Sequence, residues 1–581
     1  MFFPASPAGA REGAPADPPE KIFLQTDREV YIAGEELFYK LDLTGGRERH
    51  GPAGEIVYLA LRNVRNTVIT HAMIRTHGKK AWGSLYLPDT LSTGMYQLTA
   101  YTNVMRNYGE GSFFTGDIFI ANRFDKALTA IWKYAGKTDV PPHGERDTIP
   151  DLPERRSEGL LVATDKEQYD NRGKITLRIA YSPAEGEDAP VSLSVSVTET
   201  YSRLPLATKR SAAGEAAGRE KERTAPRLPE YEGYILRGKV LKEDGSVAPG
   251  VYVMLSVPDS MVNLDYAITD SSGMFRFLLN DFYFGKKIIL TPQDLSRQTG
   301  YKILTGDKFE ILRPYEPPSL FFPPAFKTYL SRCQEIVGVQ KIYQQKIVLQ
   351  EENEGMKKGI RPLVYSRPSL TVVPAEYTPL KDLPEIAKEI IPFLKVRKKK
   401  EKYEVRVLDV PAQKFFKENA VMFLDGVPVN DFRQLVPLGS KQIERIEIVG
   451  RRWYYGDIRF PGILAVFTRN HAIGAYRFPP EVLSFTMEKP APFTTMDCRQ
   501  QHPSDDGNTV LPDLRQVLCW IPDIELKNKE EKILSFYSGD LSGSYTVEVT
   551  GVTGKGTRIM ATTRFTVGPQ KNSTEKAGGM K

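Results

Sequence analysis

The sequence predicts a mainly β protein in which several sandwiches are joined to one small α/β unit. Three observations carry this. Short runs with period-2 alternation recur along most of the 581 residues, separated by turn signals. Strand and turn formers are abundant, with 28 Tyr, 28 Phe, 46 Gly and 42 Pro. Helical spacing is confined to two stretches, 326–343 and 383–391. At roughly 150 residues per domain the length suggests about four domains. The 41% hydrophobic and 26% charged content supplies several cores and excludes a mainly disordered chain. A net charge of +7, from 79 basic and 72 acidic residues, does not mark a nucleic-acid binder. No run approaches the ~20 apolar residues of a spanning helix.

Taken in order, residues 1–20 read as a disordered tail or the remainder of an export signal. Ala8-Gly9-Ala10 has the small-x-small pattern of a cleavage site, which places the mature start near Arg11 or later. Residues 21–124 form a first sandwich, with strands around Ile22-Phe23-Leu24, 36–41, 56–61 and 96–101. A second, partly interrupted sandwich is expected over 158–201, with Leu193, Val195 and Val197 on one face, and a mobile linker over 202–229. A third spans 230–313, where Asp244-Gly245 signals a hairpin turn. Residues 319–380 read as a helix followed by a linker. Pro324 suits the helix start, and Phe326, Tyr329, Leu330, Cys333, Ile336, Val337 and Tyr343 share its apolar face. The α/β unit spans 381–470. It opens on a helix capped by Asp382 with Glu385 three residues on, and strands follow at 405–408, 421–424, 443–449 and 463–468. A last β domain covers 490–568, and 569–581 is a disordered tail.

Four segments carry a resemblance. Lys21 to Asp27 with Tyr31-Ile32-Ala33-Gly34-Glu35 looks like the opening strand pair of macroglobulin-type domains, with Ala33 where Pro is usual; Tyr101-Thr102-Asn103 and Met105-Arg106-Asn107 resemble the end of that domain. Gly238-Lys239-Val240, Asp244-Gly245, Pro249-Gly250-Val251 and Thr269 to Phe275 are similar to carboxypeptidase-regulatory-like domains, seven-stranded sandwiches without catalytic residues. Leu424 to Val429, Ile443 to Ile448 and the Tyr455-Gly456 to Leu464 spacing resemble a TonB-receptor plug domain, from which Arg451-Arg452-Trp453 departs. Trp520 to Asp523, Tyr545-Thr546-Val547 and Gly551-Val552-Thr553 look like a late macroglobulin β domain. The joint order resembles modular extracytoplasmic proteins of Gram-negative bacteria. It implies immunoglobulin-like or macroglobulin-type sandwiches around one plug-like module, located in the periplasm or at the outer membrane.

The chemistry-bearing motifs are sparse. Gly136-Lys137-Thr138 imitates the end of a P-loop, but the glycine needed five residues earlier is Ile131. None of the six His sits in a zinc-binding spacing, and there is no Gly-x-Ser-x-Gly elbow. Cys333-Gln334-Glu335 differs from the Cys-Gly-Glu-Gln of the macroglobulin thioester, so Cys333 reads as a buried thiol on a helix. Cys498 and Cys519 either form a disulfide or leave Cys519 as a small core residue beside Trp520. Lys395 to Lys402 is the densest charge run, a solvated hairpin or a contact for anionic headgroups. Arg451-Arg452-Trp453-Tyr454-Tyr455 combines planar donors with large apolar area, the composition of a binding hot spot, as opposed to a loop with a partly buried aromatic.

The function expected from these readings is non-enzymatic: a binding or scaffold protein associated with an outer-membrane assembly. It would need no metal or cofactor and would bind no nucleic acid. Envelope proteins, including an outer-membrane barrel, would be its partners, and Arg451, Arg452, Trp453, Tyr454 and Tyr455 would form the partner surface. Membrane association would be peripheral. The alternatives are a plug-like accessory of a TonB-dependent system acting with a separate barrel, and a protease inhibitor of macroglobulin type lacking its thioester.

Overall fold

The computed structural model describes residues 20–45, 55–125, 156–182, 190–203, 227–293, 300–306, 309, 312–317, 324–342, 349–352, 361–400, 402–496, 498 and 512–568. The expected tails, most of the 202–229 linker, Lys137 and Tyr343 lie outside the described residues. The chain is mainly β, with two α-helices among the described residues. It divides into two compact units. One comprises Met1–Tyr231, Lys308–Glu354 and Pro490–Lys581; the other comprises Glu232–Asp307 and Gly355–Lys489.

In the first unit, Glu20–Thr26, Glu36–Gly45 and Lys80–Tyr86 form one sheet of the first sandwich. Val30–Ile32, Phe114–Ala121, Gly94–Thr102, Ile56–Asn63 and Val68–Arg75 form the other. Asp27, outwardly a turn former, is fully buried and accepts hydrogen bonds from the Phe38 amide (2.9 Å) and the Tyr31 hydroxyl (2.7 Å). Helix α1 (Pro324–Ile342) lies on this sandwich; Phe326, Tyr329, Leu330, Cys333 and Val337 pack with Val30, Ile32, Phe119 and Ala121.

The segments expected as two domains, 158–201 and 490–568, are one sandwich. Val191–Glu199 pairs in continuous register with Gly543–Val552 and, on its other edge, with Val517–Leu526. Lys174–Tyr181 pairs residue for residue with Glu530–Tyr537. Neither segment completes either sheet alone, and the core joins Ile175, Leu177, Leu193, Val195 and Val197 of the first to Phe536, Val547, Val549 and Phe565 of the second. Local periodicity identifies the strands but not partners so far along the chain. Cys498 and Cys519 are joined as a disulfide within this sandwich.

The two sandwiches of this unit meet at a buried ionic junction. Arg28 lies 3.3 Å from Asp27 and 3.1 Å from Glu35, and donates to Gln516 (3.1 Å). Arg203 donates to the Asp27 carbonyl (2.7 Å) and pairs with Glu548 at 3.5 Å. Asp27, Arg28 and Arg203 are all buried.

The second unit holds the third sandwich. Tyr234–Leu241 lies between Met274–Leu279 and Lys302–Thr305; Asp265–Ile268, Tyr252–Ser256 and Lys287–Gln293 form the facing sheet. Its seventh strand comes from beyond the expected 230–313 boundary: Leu483–Thr486 pairs with Lys287–Gln293 after the whole α/β module has been made.

The α/β module has a five-stranded sheet ordered Leu370–Val372, Ile443–Tyr455, Ile458–Thr468, Val421–Leu424, Val427–Val429. Its first strand lies in what reads as a Pro-rich linker, so the module begins before residue 381. Helix α2 (Leu383–Ile390) starts on Asp382, which accepts from the Glu385 amide at 2.9 Å. The Glu385 carboxylate reaches back one residue further than a capping box requires, to the Lys381 amide. A smaller sheet of Leu394–Lys399, Lys402–Asp409 and Lys414–Phe415 completes the module, so the basic run is itself the hairpin.

Candidate functional site

The aromatic-basic segment belongs to a strand rather than a loop. After a bulge at 449–452, Ile443–Tyr455 continues its pairing with Ile458–Thr468: Arg452 faces Pro461, Trp453 faces Phe460, Tyr454 faces Arg459 and Tyr455 faces Ile458. Alternation then sends successive side chains to opposite faces. Trp453 and Tyr455 turn inward and pack against a core shared with Met254, Val262 and Leu264 of the third sandwich. The Trp453 indole donates to the Val364 carbonyl at 2.6 Å, and the Tyr455 hydroxyl donates to the Leu264 carbonyl. Burial pushes the Tyr455 phenol up to about 12, with Asp265 and Tyr266 adding to it. At the turn, the Asp457 amide donates to the Tyr266 hydroxyl at 3.0 Å.

The expectation of a contiguous exposed hot spot is therefore corrected. Trp453 and Tyr455 spend their apolar area within the chain, because a large ring beside an uncovered sheet face is drawn out of water. Arg452 is half-buried, over the Phe416 ring at 5.3 Å and 3.7 Å from Glu418. Arg451 and Tyr454 remain exposed, with the Arg451 guanidinium 4.7 Å above the Trp453 ring and Tyr454 at 63% exposure.

The returning strand of the same hairpin borders an open cleft of about 1210 Å³ within the second unit. Asp457, Arg459 and Phe460 form one wall, and Tyr252 and Thr291 of the third sandwich contribute to the lining. The cleft is also lined by Tyr403, Asn430, Asp431, Gln434, Tyr476 and Phe478. Internal bonds fix much of this lining. The Tyr476 hydroxyl accepts from the Asp431 amide at 3.0 Å, and burial raises its phenol. Arg433 grips Asp431 through two 2.9 Å bonds and holds that carboxyl below its ordinary value. Gln434 exchanges side-chain bonds with the Arg477 backbone at 2.8 and 3.0 Å. The Thr291 hydroxyl is buried without a hydrogen-bond partner among the described residues. Such a surface offers aromatic faces and fixed amides to an extended ligand of mixed polarity.

Beneath the cleft, Asp425 holds the geometry. It occupies the left-handed region (φ 47°) in the turn with Gly426, is 1% exposed, and accepts from the Thr468 amide (2.7 Å), the Thr468 hydroxyl and the Ile473 amide (3.1 Å). Gly426 is obligatory there: its φ is +84°, and a Cβ would stand 2.6 Å from the Met261 carbonyl. Sequence reading finds the turn, but the cleft aromatics come from separate segments and carry no local signal of convergence. Groups of three or more His, Cys, Asp or Glu able to hold a metal ion do not occur among the described residues. Cys333 is buried, and that burial pushes its thiol well up; the neighbouring Gln334 donates to the Asn122 carbonyl. No helix among the described residues is long and apolar enough to cross a membrane.

No family model and no curated protein matches the chain by sequence. Among solved structures it is similar to Salmonella alpha-2-macroglobulin reacted with methylamine, at 9% identity over 95% of this chain and 39% of that one, with a TM-score of 0.23. Trypsin-activated alpha-2-macroglobulin from Escherichia coli gives 9% identity, 96% and 42% coverage, and a TM-score of 0.22. The Escherichia coli adhesin FdeC gives 8% identity, 50% and 65% coverage, and 0.14. The chain thus spans about two fifths of the length of the macroglobulins it matches. These scores assign neither family nor activity, and the site stands on this chain's own residues.

Proposed function

We propose that this chain is a non-enzymatic binding or scaffold protein that works outside the cytoplasm in an outer-membrane assembly. It combines macroglobulin-type sandwiches, a carboxypeptidase-regulatory-like sandwich and a plug-like module, and it touches the membrane peripherally. The observation that carries the binding role is the cleft of the second unit, where rigidly bonded polar groups and aromatic faces line a space of about 1210 Å³. The Cys498–Cys519 disulfide supports an oxidising compartment. Tyr455 and Asp457 bond the plug-like module to the third sandwich and Trp453 packs into the core they share, which favours a scaffold over a free plug for a separate barrel.

A photo-crosslinking residue at Arg459, in the cleft wall, tests the reading in intact envelopes against the same residue at Lys532 in the second sandwich. A discrete adduct with an envelope protein from position 459 alone is expected. Identical adducts from both positions, or none from either, defeat the cleft as the partner site. Peptide, ester and glycoside substrates should remain unconverted by the purified chain. Turnover abolished by one substitution in this chain would make it an enzyme.

A further inference from the structure

The basic hairpin has a property that the cleft does not explain. Its strands pair Lys395 with Arg406, Arg397 with Glu404 and Lys399 with Lys402, and paired residues point to the same face. One face therefore carries five cations and a single carboxylate. Two of its three cross-strand pairs are like-charged, an arrangement that destabilises a sheet. The sole carboxylate is already used: Glu404 binds Lys399 at 2.6 Å and Arg406 at 3.1 Å. Lys395, Lys402 and the tip residues Lys398 and Lys400 have no ion-pair partner among the described residues, Arg397 acts on Glu404 only at a distance, and Glu401 lies outside them. The opposite face anchors the display, because Leu394, Val405 and Val407 are buried in the module core.

We propose that this face docks on a bilayer rich in anionic phosphate headgroups. Charge complementarity identifies the occupant. The hairpin maintains a repulsive cation cluster at a fixed spacing, and a dense layer of phosphates relieves it. A protein partner is disfavoured because the face has no apolar centre; its nearest ring, Phe415, is covered by the Lys395 ammonium at 5.3 Å. A single strand is disfavoured because no ring stands on this face for stacking, and duplex DNA, whose phosphates the same cations would attract, is the competing ligand in the test. Lysine predominates, and its flexible point charge suits headgroups that diffuse rather than a planar anion in a fixed seat.

The test is sedimentation of the full chain with vesicles of phosphatidylglycerol and phosphatidylcholine, against vesicles of phosphatidylcholine alone. Binding to the anionic vesicles is expected, and it should vanish as salt rises from about 0.1 M to about 1 M, where the screening length falls from about 10 to 3 Å. Each cation near such a surface contributes about fivefold in affinity, so replacing Lys395, Arg397 and Lys402 by Gln should lower binding by about 100-fold. A control variant carrying Lys174→Gln, Lys527→Gln and Lys532→Gln has the same net charge and should bind as the parent does. Unchanged thermal unfolding of both variants excludes misfolding. Equal losses in the two variants, or no binding of the parent at low salt, overturn the proposal. So does hairpin-dependent binding to duplex DNA that exceeds binding to vesicles. The vesicle assay needs no partner protein, so its failure leaves the cleft reading standing, and failure of the cleft leaves this one standing.

Discussion

Charge is concentrated in two regions of the molecule, and each handles it differently. At the junction of the first two sandwiches, Arg28 is 2% exposed and sits within 3.3 Å of two carboxylates. On the basic hairpin, Lys402 stands in solvent directly across from Lys399, a like charge. A buried charge must be matched within the chain, because an unmatched one costs several kcal/mol. An exposed charge can be left unmatched, since water and counter-ions screen it. The first arrangement therefore fixes how two sandwiches meet, and the second remains available to something outside the chain.

The strongest way to break this contrast is Arg28→Ala, which strands Asp27 and Glu35 in the junction. It should cost about 3–5 kcal/mol in denaturant unfolding; a loss below about 1 kcal/mol would mean that the junction is wet. Trp453→Ala is the uncharged counterpart in the second unit. Removing a half-buried indole and its bond to Val364 should cost about 2–4 kcal/mol, whereas an unchanged melting temperature would return Trp453 to a partner surface.

The junction should also respond to pH. Burial pushes the Asp27 carboxyl up from 3.8 to about 6, against the opposing pull of Arg28 and the bonds from Tyr31 and Phe38. The folded state thus holds this proton more tightly than the unfolded state. Its contribution is full below about pH 4 and is lost as pH rises through about 6. Asp27→Asn should flatten that part of the stability profile relative to the parent; parallel profiles would remove Asp27 from the account. The smallest effect belongs to the hairpin. Neutralising Lys395, Arg397 and Lys402 should leave the melting temperature unchanged or raise it by about 1 °C, by relieving repulsion across the strands. A marked fall would expose hidden partners and erase the contrast.

Local structure was legible in the sequence, and long-range pairing was not. The alternation of Tyr234–Leu241 appears in the fold as strictly alternating burial, and the helical spacing of Phe326 to Val337 as one buried stripe. Val191–Glu199 is buried along its whole length, which nothing in its own residues announces, because both strands that flank it come from near the other end of the chain. Asp27 and Asp425 read as turn formers, for Asp is at home in turns. Their roles as buried acceptors depend on Arg203 and Thr468, which the sequence does not place beside them. The aromatic-basic segment was recognised as unusual, but alternation along a strand splits it between two faces, and the cleft lies along the partner strand.

The divided second sandwich has a consequence for how the protein is made. Ser194 bonds to the Thr550 carbonyl, 356 residues further on. At a synthesis rate of about 5–20 residues per second, the later strand follows the earlier one by roughly 20–70 s. Throughout that interval Val191–Glu199 has two open edges, the feature of an aggregation template. A ribosome that stalls before Arg558–Val567 would release a chain whose defect sits near its beginning.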